Sequence, residues 1–194
     1  MDYEYETDRW PFIAAKHFTK VAKKRGIRLI VLHSMEAPEK GDTAENVAKY
    51  FQSTTRQASA HICVDNNSIV QCVWDNDIAW AAPGANSDGI HIEMAGYANQ
   101  SRENWLDAYS ALTLDNAASA AAQYCLKYDI PVIRLSNEAL GGKLAKGLVS
   151  HAQVTEVFKK GDHTDPGNGF PWDYFMDRVQ HHYSRKKQAG NNHA

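Results

Sequence analysis

Arg28-Leu29-Ile30-Val31-Leu32-His33 is a short, nearly unbroken apolar run that ends on a histidine. A strand with one wet face alternates apolar and polar residues. An unbroken run therefore marks a strand covered on both faces, as in the middle of a sheet flanked by helices. The neighbouring segments supply those helices and further strands. Asp42, with Glu45 three residues on, has the form of a capping box, and Ala44, Val47, Ala48 and Phe51 keep helical spacing. His61 to Trp74 reads as a hairpin turning at Asn66-Asn67, where positive φ is tolerated. Ile90-His91-Ile92-Glu93-Met94 alternates and reads as a strand closed by Gly96. Leu114, Ala117, Ala118, Ala121, Cys125 and Tyr128 form one stripe of a helix over 114–128, whose small face suits close packing on a sheet.

Further on, Ile130-Pro131-Val132-Ile133 reads as a short strand with its proline near the start. Ser150-His151-Ala152-Gln153 has capping-box form and puts His151 in a first helical turn. A last helix is expected from Pro171, with Trp172, Phe175, Met176 and Val179 facing inward. Residues 11–25 fit either a helix or an extended arm. Strands alternating with helices predict a single α/β domain with a central mixed sheet flanked by helices. We expect that domain over 28–180, after an N-terminal extension (1–27) and before a frayed polar tail or linker (181–194).

The 194 residues are 43% hydrophobic, 23% charged and 10% aromatic, an ordinary globular composition. Twenty-one Lys and Arg against 23 Asp and Glu give a formal charge of -2, which argues against a nucleic-acid partner. The N-terminus carries four acidic residues in its first eight positions, so no Sec-type signal peptide is expected. No run approaches the roughly 20 apolar residues of a membrane span, so no membrane insertion is expected. Three cysteines cannot pair completely, which suits a reducing compartment. Histidine stands out, with nine copies.

Some of these histidines are placed where side chains are held rigidly. His33 ends a buried strand, His151 opens a helix, and His163-Thr164-Asp165-Pro166-Gly167 reads as a turn after that helix. Two imidazoles and a carboxylate with an open fourth position make a catalytic zinc arrangement, although nine histidines offer many such triples. A competing set lies on the hairpin: a two-residue turn puts His61, Cys63 and Cys72 on one sheet face. That set could bind a metal, or the cysteines could serve as small buried hydrophobes. Nucleophile and phosphate-loop motifs (GxSxG, HExxH, P-loop, GxGxxG) are absent.

The pieces Ile30-Val31-Leu32-His33, Ser59-Ala60-His61-Ile62-Cys63-Val64-Asp65, Ile78-Ala79-Trp80, Ile90-His91-Ile92-Glu93-Met94-Ala95-Gly96, and His151 followed by His163-Thr164-Asp165-Pro166-Gly167 stand in one order along roughly 28–172. In that order the chain resembles the zinc-dependent N-acetylmuramoyl-L-alanine amidases, a family that includes peptidoglycan recognition proteins. Trp10-Pro11-Phe12 and His33-Ser34-Met35-Glu36-Ala37-Pro38-Glu39 look most like bacteriophage endolysin domains. The resemblance implies one Zn2+ held by His33, His151 and Asp165, and an active-site acid at Glu93. His163 stands where many members place a catalytic lysine. It also implies substrate contacts from His61, Trp80 and Thr164, with bacterial peptidoglycan as the partner and a monomer as the working unit. The family's histidine after Ala-Trp is missing, since this chain reads Ala79-Trp80-Ala81-Ala82.

The implied reaction hydrolyses the amide between N-acetylmuramic acid and L-alanine. His163 could face the oxyanion or hold Asp165, His61 could line the cleft or be structural, and Trp80 could line the groove or pack in the core. The tail histidines His181 and His182 are expected to be solvated. Two rival functions stay open: a non-catalytic peptidoglycan-binding module and a cytoplasmic enzyme recycling muropeptides. Without a signal peptide, a phage lysin would wait in the host cytoplasm for holin-type release.

Overall fold

Leu29 to Ser34 are buried without exception, as a strand covered on both faces must be. The computed structural model describes residues 10–142 and 144–191. In chain order the elements are β1 (Phe18–Thr19), β2 (Leu29–Ser34), α1 (Thr43–Ser53), β3 (Ile62–Val64), β4 (Ile69–Gln71), β5 (Ile78–Ala79), β6 (Gly89–Met94), α2 (Arg102–Trp105), α3 (Ala108–Tyr128), α4 (Asn137–Gly141), β7 (Gly147–Ser150), α5 (His151–Phe158) and α6 (Trp172–Asn191). The central sheet has the order β4-β3-β6-β2-β7, with β4 antiparallel and the other pairings parallel. It is the mixed sheet expected.

Period-2 alternation divides the work of the sheet. Ile30, Leu32, Ile90, Ile92 and Met94 face α3 and α6, where they pack on Leu114, Ala117, Ala118, Ala121, Phe175 and Val179. The alanines let α3 lie close to the strands. Burying a side chain such as Phe175 stabilises by roughly 1.5–3 kcal/mol. On the other face α1 covers Cys63 and Val70, while Leu140 and Val154 from α4 and α5 cover Leu29, Val31 and Val149. His33, His91 and Glu93 lie on this second face.

Both sheet edges are covered. Residues 11–15, ambiguous by pattern, form an extended arm along β4: Gln71 N–H donates to Pro11 O (2.8 Å) and Ile13 N–H to Gln71 O (2.9 Å). On the far side Leu148 N–H donates to Ile133 O (2.8 Å) and Leu135 N–H to Leu148 O (3.0 Å). These segments occupy edge N–H and C=O groups that would otherwise be open to another strand.

Several expectations are corrected. Residues 130–133 form no strand: the chain meets β7 through the Ile133 carbonyl and the isolated bridge Arg134↔Leu148, and Pro131 has no N–H to offer. β7, the short helices α2 and α4, and the β1–β5 pair were not anticipated. α3 starts six residues before its apolar stripe, where Asp107 accepts from Tyr109 N–H (3.0 Å) and Ser110 N–H (2.8 Å). Asp42 occupies the cap position of α1 without a side-chain bond; Asp65 Oδ2 instead accepts from Ala44 N–H (3.0 Å). The expected frayed tail is helical through residue 191. His182 Nε2 lies 2.9 Å from Asp115 Oδ1 of α3, and Arg178 Nε donates to the same oxygen (2.7 Å). His182 is thus part of a helix–helix contact. Among the described residues, no helix is long and apolar enough to cross a membrane.

Candidate active site

Three segments deliver donor groups to the C-terminal ends of the parallel strands, where open α/β sheets place their ligands. His33 stands near the end of β2. His151 is the first residue of α5, fixed by the predicted capping box: Ser150 Oγ accepts from Gln153 N–H (3.1 Å), and Gln153 Oε1 accepts from Ser150 N–H (3.3 Å). Asp165 lies in the loop beyond α5, and its carbonyl accepts from Ala152 N–H (2.9 Å), which ties the loop to the first turn of that helix. Gly167 completes the turn at φ +91°, where a Cβ would strike the Ala98 carbonyl. Only glycine meets both demands.

Asp165 Oδ2 lies 3.1 Å from His33 Nδ1, and Oδ1 lies 3.2 Å from His151 Nδ1. The three donor atoms fall within 4.8 Å of one another, and all three residues are buried. Among the described residues, this is the one group of three or more His, Cys, Asp or Glu side chains that could hold a metal ion. Burial alone would raise the Asp165 carboxyl. Hydrogen bonds from His151 and His33, with their charge, outweigh it and hold the group well below the usual carboxylate range. Burial lowers His151, and His33 adds to that, against the pull of Asp165.

Glu93 pairs with His33 across the β2–β6 register and brings Oε1 to 4.0 Å from His33 Nδ1. Its Oε2 is buried without a hydrogen bond. Burial, then Asp165 and Glu36, push this carboxyl well above its ordinary range. His163 stacks on His151 (centroids 4.0 Å, interplanar 19°), and its Nδ1 lies 3.4 Å from Asp165 Oδ1. With a side chain 54% exposed, it stands at the mouth of the site.

His33, Glu93, His151, His163 and Asp165 line one end of a cleft of about 700 Å³ that runs out past Trp80. Trp80 is half-buried in that wall, and its Nε1–H donates to Thr19 Oγ1 (2.9 Å). His163 also borders a second depression of about 640 Å³, and Thr164 lines that one. Asn86 also lines the cleft, its Oδ1 accepting from Ala81 N–H (3.1 Å) and Ala82 N–H (2.7 Å).

His61 is the correction. It is 0% exposed and does not line the cleft, so it is not a substrate contact. Its Nδ1 accepts from His91 N–H (3.0 Å), and its Nε2 lies 2.8 Å from Arg25 Nη2 and 3.2 Å from the Asp77 carbonyl. Nor does it join a metal set with the hairpin cysteines: Cys63 and Cys72 are free, buried thiols with their Sγ atoms 3.8 Å apart. Sequence reasoning assigned no role to His91 or Arg25. The first was hidden in a strand pattern and the second in the ambiguous arm.

A family model described as N-acetylmuramoyl-L-alanine amidase matches residues 23–168. No curated protein sequence matches the chain. Similar solved structures include the Staphylococcus aureus hydrolase AmiA (TM-score 0.65, 17% identity, 93% of this chain and 87% of that one). A selenomethionine AmpD derivative gives TM-score 0.62 at 16% identity, covering 89% of this chain and 96% of that one. The N-acetylmuramoyl-L-alanine amidase LysC from Clostridium intestinale gives 0.57 at 17% identity, covering 90% and 99%. These likenesses establish a shared fold.

Proposed function

Because the chain belongs to the N-acetylmuramoyl-L-alanine amidase family, we propose that it is a zinc-dependent hydrolase cutting the amide between N-acetylmuramic acid and L-alanine in bacterial peptidoglycan. The observation that carries this reading is the convergence of His33, His151 and Asp165, with Glu93 4.0 Å from His33. Two imidazole nitrogens and a carboxylate oxygen, at the end of the cleft, are a donor set that would hold zinc. When bound there, zinc supplies Lewis acidity for the scissile carbonyl and lowers the pKa of water toward ~7. Glu93 takes a proton from the attacking water and returns it to the leaving amine, a role its place in the cleft beside His33 supports. His163, exposed at the mouth, is the ring that can turn a nitrogen toward the developing oxyanion. The cleft past Trp80 and the depression beside Thr164 hold the substrate on either side of His163.

Two adjoining depressions suit a polymer better than a small muropeptide, which supports a wall-lytic role of the endolysin kind over recycling. The covered sheet edges support a monomer. The test is digestion of purified peptidoglycan by the zinc-loaded protein, assayed for new alanine amino termini and for reducing sugar ends. Alanine amines with intact glycan are expected. Reducing ends without free amines would overturn the amidase reading, and saturable binding without either product would favour a recognition module. A higher rate on soluble muropeptides than on intact wall would favour recycling. His33→Ala should lose zinc and activity together, whereas Glu93→Gln should keep zinc and lose most turnover.

A further inference from the structure

An imidazole carries one hydrogen between its two nitrogens, and the partner of one nitrogen decides what the other can do. His33 directs Nδ1 at Asp165 (3.1 Å), while its Nε2 points down into the sheet, 3.0 Å from His91 Nδ1. His91 is two residues before Glu93 on the same face of β6, opposite Val31 in the register, and fully buried. Its ring lies between the rings of His33 (centroids 5.3 Å) and His61 (5.6 Å, interplanar 15°). The backbone N–H of His91 donates to His61 Nδ1 (3.0 Å), and Arg25 lies beyond His61, donating to the carbonyls of Gly89 (3.0 Å) and Asp75 (3.0 Å). The ring is packed between the other two imidazoles, with Nδ1 aimed at His33 Nε2.

Packing alone does not account for an imidazole at this position. The neighbours on this face, Leu29 and Val31, are aliphatic. A buried polar atom left unpaired costs about 1–3 kcal/mol, and His91 Nε2 is buried with no hydrogen bond. The polar contact the ring does make is with His33.

We propose that His91 is a positioning residue of the metal site: its Nδ1 accepts the hydrogen of His33 Nε2, which fixes His33 in the tautomer whose Nδ1 is free to bind the ion. This rests on the metal reading above. A ligand whose second nitrogen is held this way keeps its ring orientation and gains basicity. Removing such a partner typically weakens metal affinity 10–100-fold.

The test compares wild type, His91→Leu, which keeps bulk and loses the acceptor, and His91→Asn, whose Oδ1 can replace Nδ1. Zinc affinity is read by competition with a chelator of known strength, after melting curves of the metal-free proteins establish folding. We expect His91→Leu to bind zinc about 10–100-fold more weakly and His91→Asn to recover most of the loss. Long-range 1H–15N spectra of the zinc-loaded wild type should place the His33 hydrogen on Nε2. Equal affinity in wild type and His91→Leu, or a hydrogen on His33 Nδ1, overturns the role of His91 alone. If His91→Leu does not fold, the wild-type spectrum and His91→Asn decide. A wild type that takes up no zinc overturns the metal reading itself, and this inference with it.

Discussion

His163 has two chemistries within reach, and they leave different kinetic traces. Its Nδ1 stands 3.4 Å from Asp165, while the side chain is half exposed toward the cleft. If it stabilises the oxyanion, His163→Ala should lower kcat roughly 100–1000-fold with zinc affinity nearly unchanged. If its main work is to hold Asp165, zinc affinity falls instead, so kinetics and metal titration on the same variant separate the roles. His61 makes a prediction about stability. Burial first, then the charge of Arg25 beside it, keep its imidazole well below the ordinary 6.5, with the Asp77 carbonyl opposing and His33 adding. Below pH 6.5 the unfolded chain takes up a proton that the folded ring refuses, so stability is lost as pH falls. The loss is about 1.4 kcal/mol per pH unit for this one group. Urea unfolding of metal-free protein between pH 7.5 and 5.5 should show a steeper acid loss in wild type than in His61→Asn, which still offers an acceptor to His91 N–H.

At the scale of elements, the loop after α5 carries the most constraint per residue. Gly167→Ala would force a Cβ into the Ala98 carbonyl at a positive φ, and the loop must shift with Asp165 on it. We expect a loss of about 1–3 kcal/mol in stability together with weaker zinc binding, read by melting and chelator competition. Some elements were legible in the sequence for physical reasons that can be named. β2 announced itself because a strand covered on both faces must be apolar throughout, and α5 because its capping box is a local, four-residue device. β7 was hidden because four residues leave no period to read, and residues 130–133 looked like a strand because apolar content does not reveal where a proline denies a hydrogen bond. The grouping of His33, His151 and Asp165 followed from the order of family-like pieces, while spacing alone left many histidine triples. The contact of His91 with His33 had no signal at all, since a bond between two buried side chains on neighbouring strands leaves no trace in either strand's pattern.

The whole molecule depends on its N-terminal arm more than the expected 28–180 boundary allowed. Residues 11–15 cover the β4 edge, and Arg25 donates to the carbonyls of Asp75, Asn86 and Gly89 from a buried position. A chain cut to 28–180 should lose at least about 3 kcal/mol and associate through the bared edge, measurable by urea unfolding and light scattering. A full-length-like melt would show the arm to be dispensable. The order of the strands has a further consequence for synthesis. β2 is made early, yet both of its partners, β6 and β7, come later, and the proposed site draws on positions 33, 93, 151 and 165. A ribosome must therefore translate past codon 165 before any hydrolytic centre can exist. Products terminated before codon 165 lack Asp165 and should be inert.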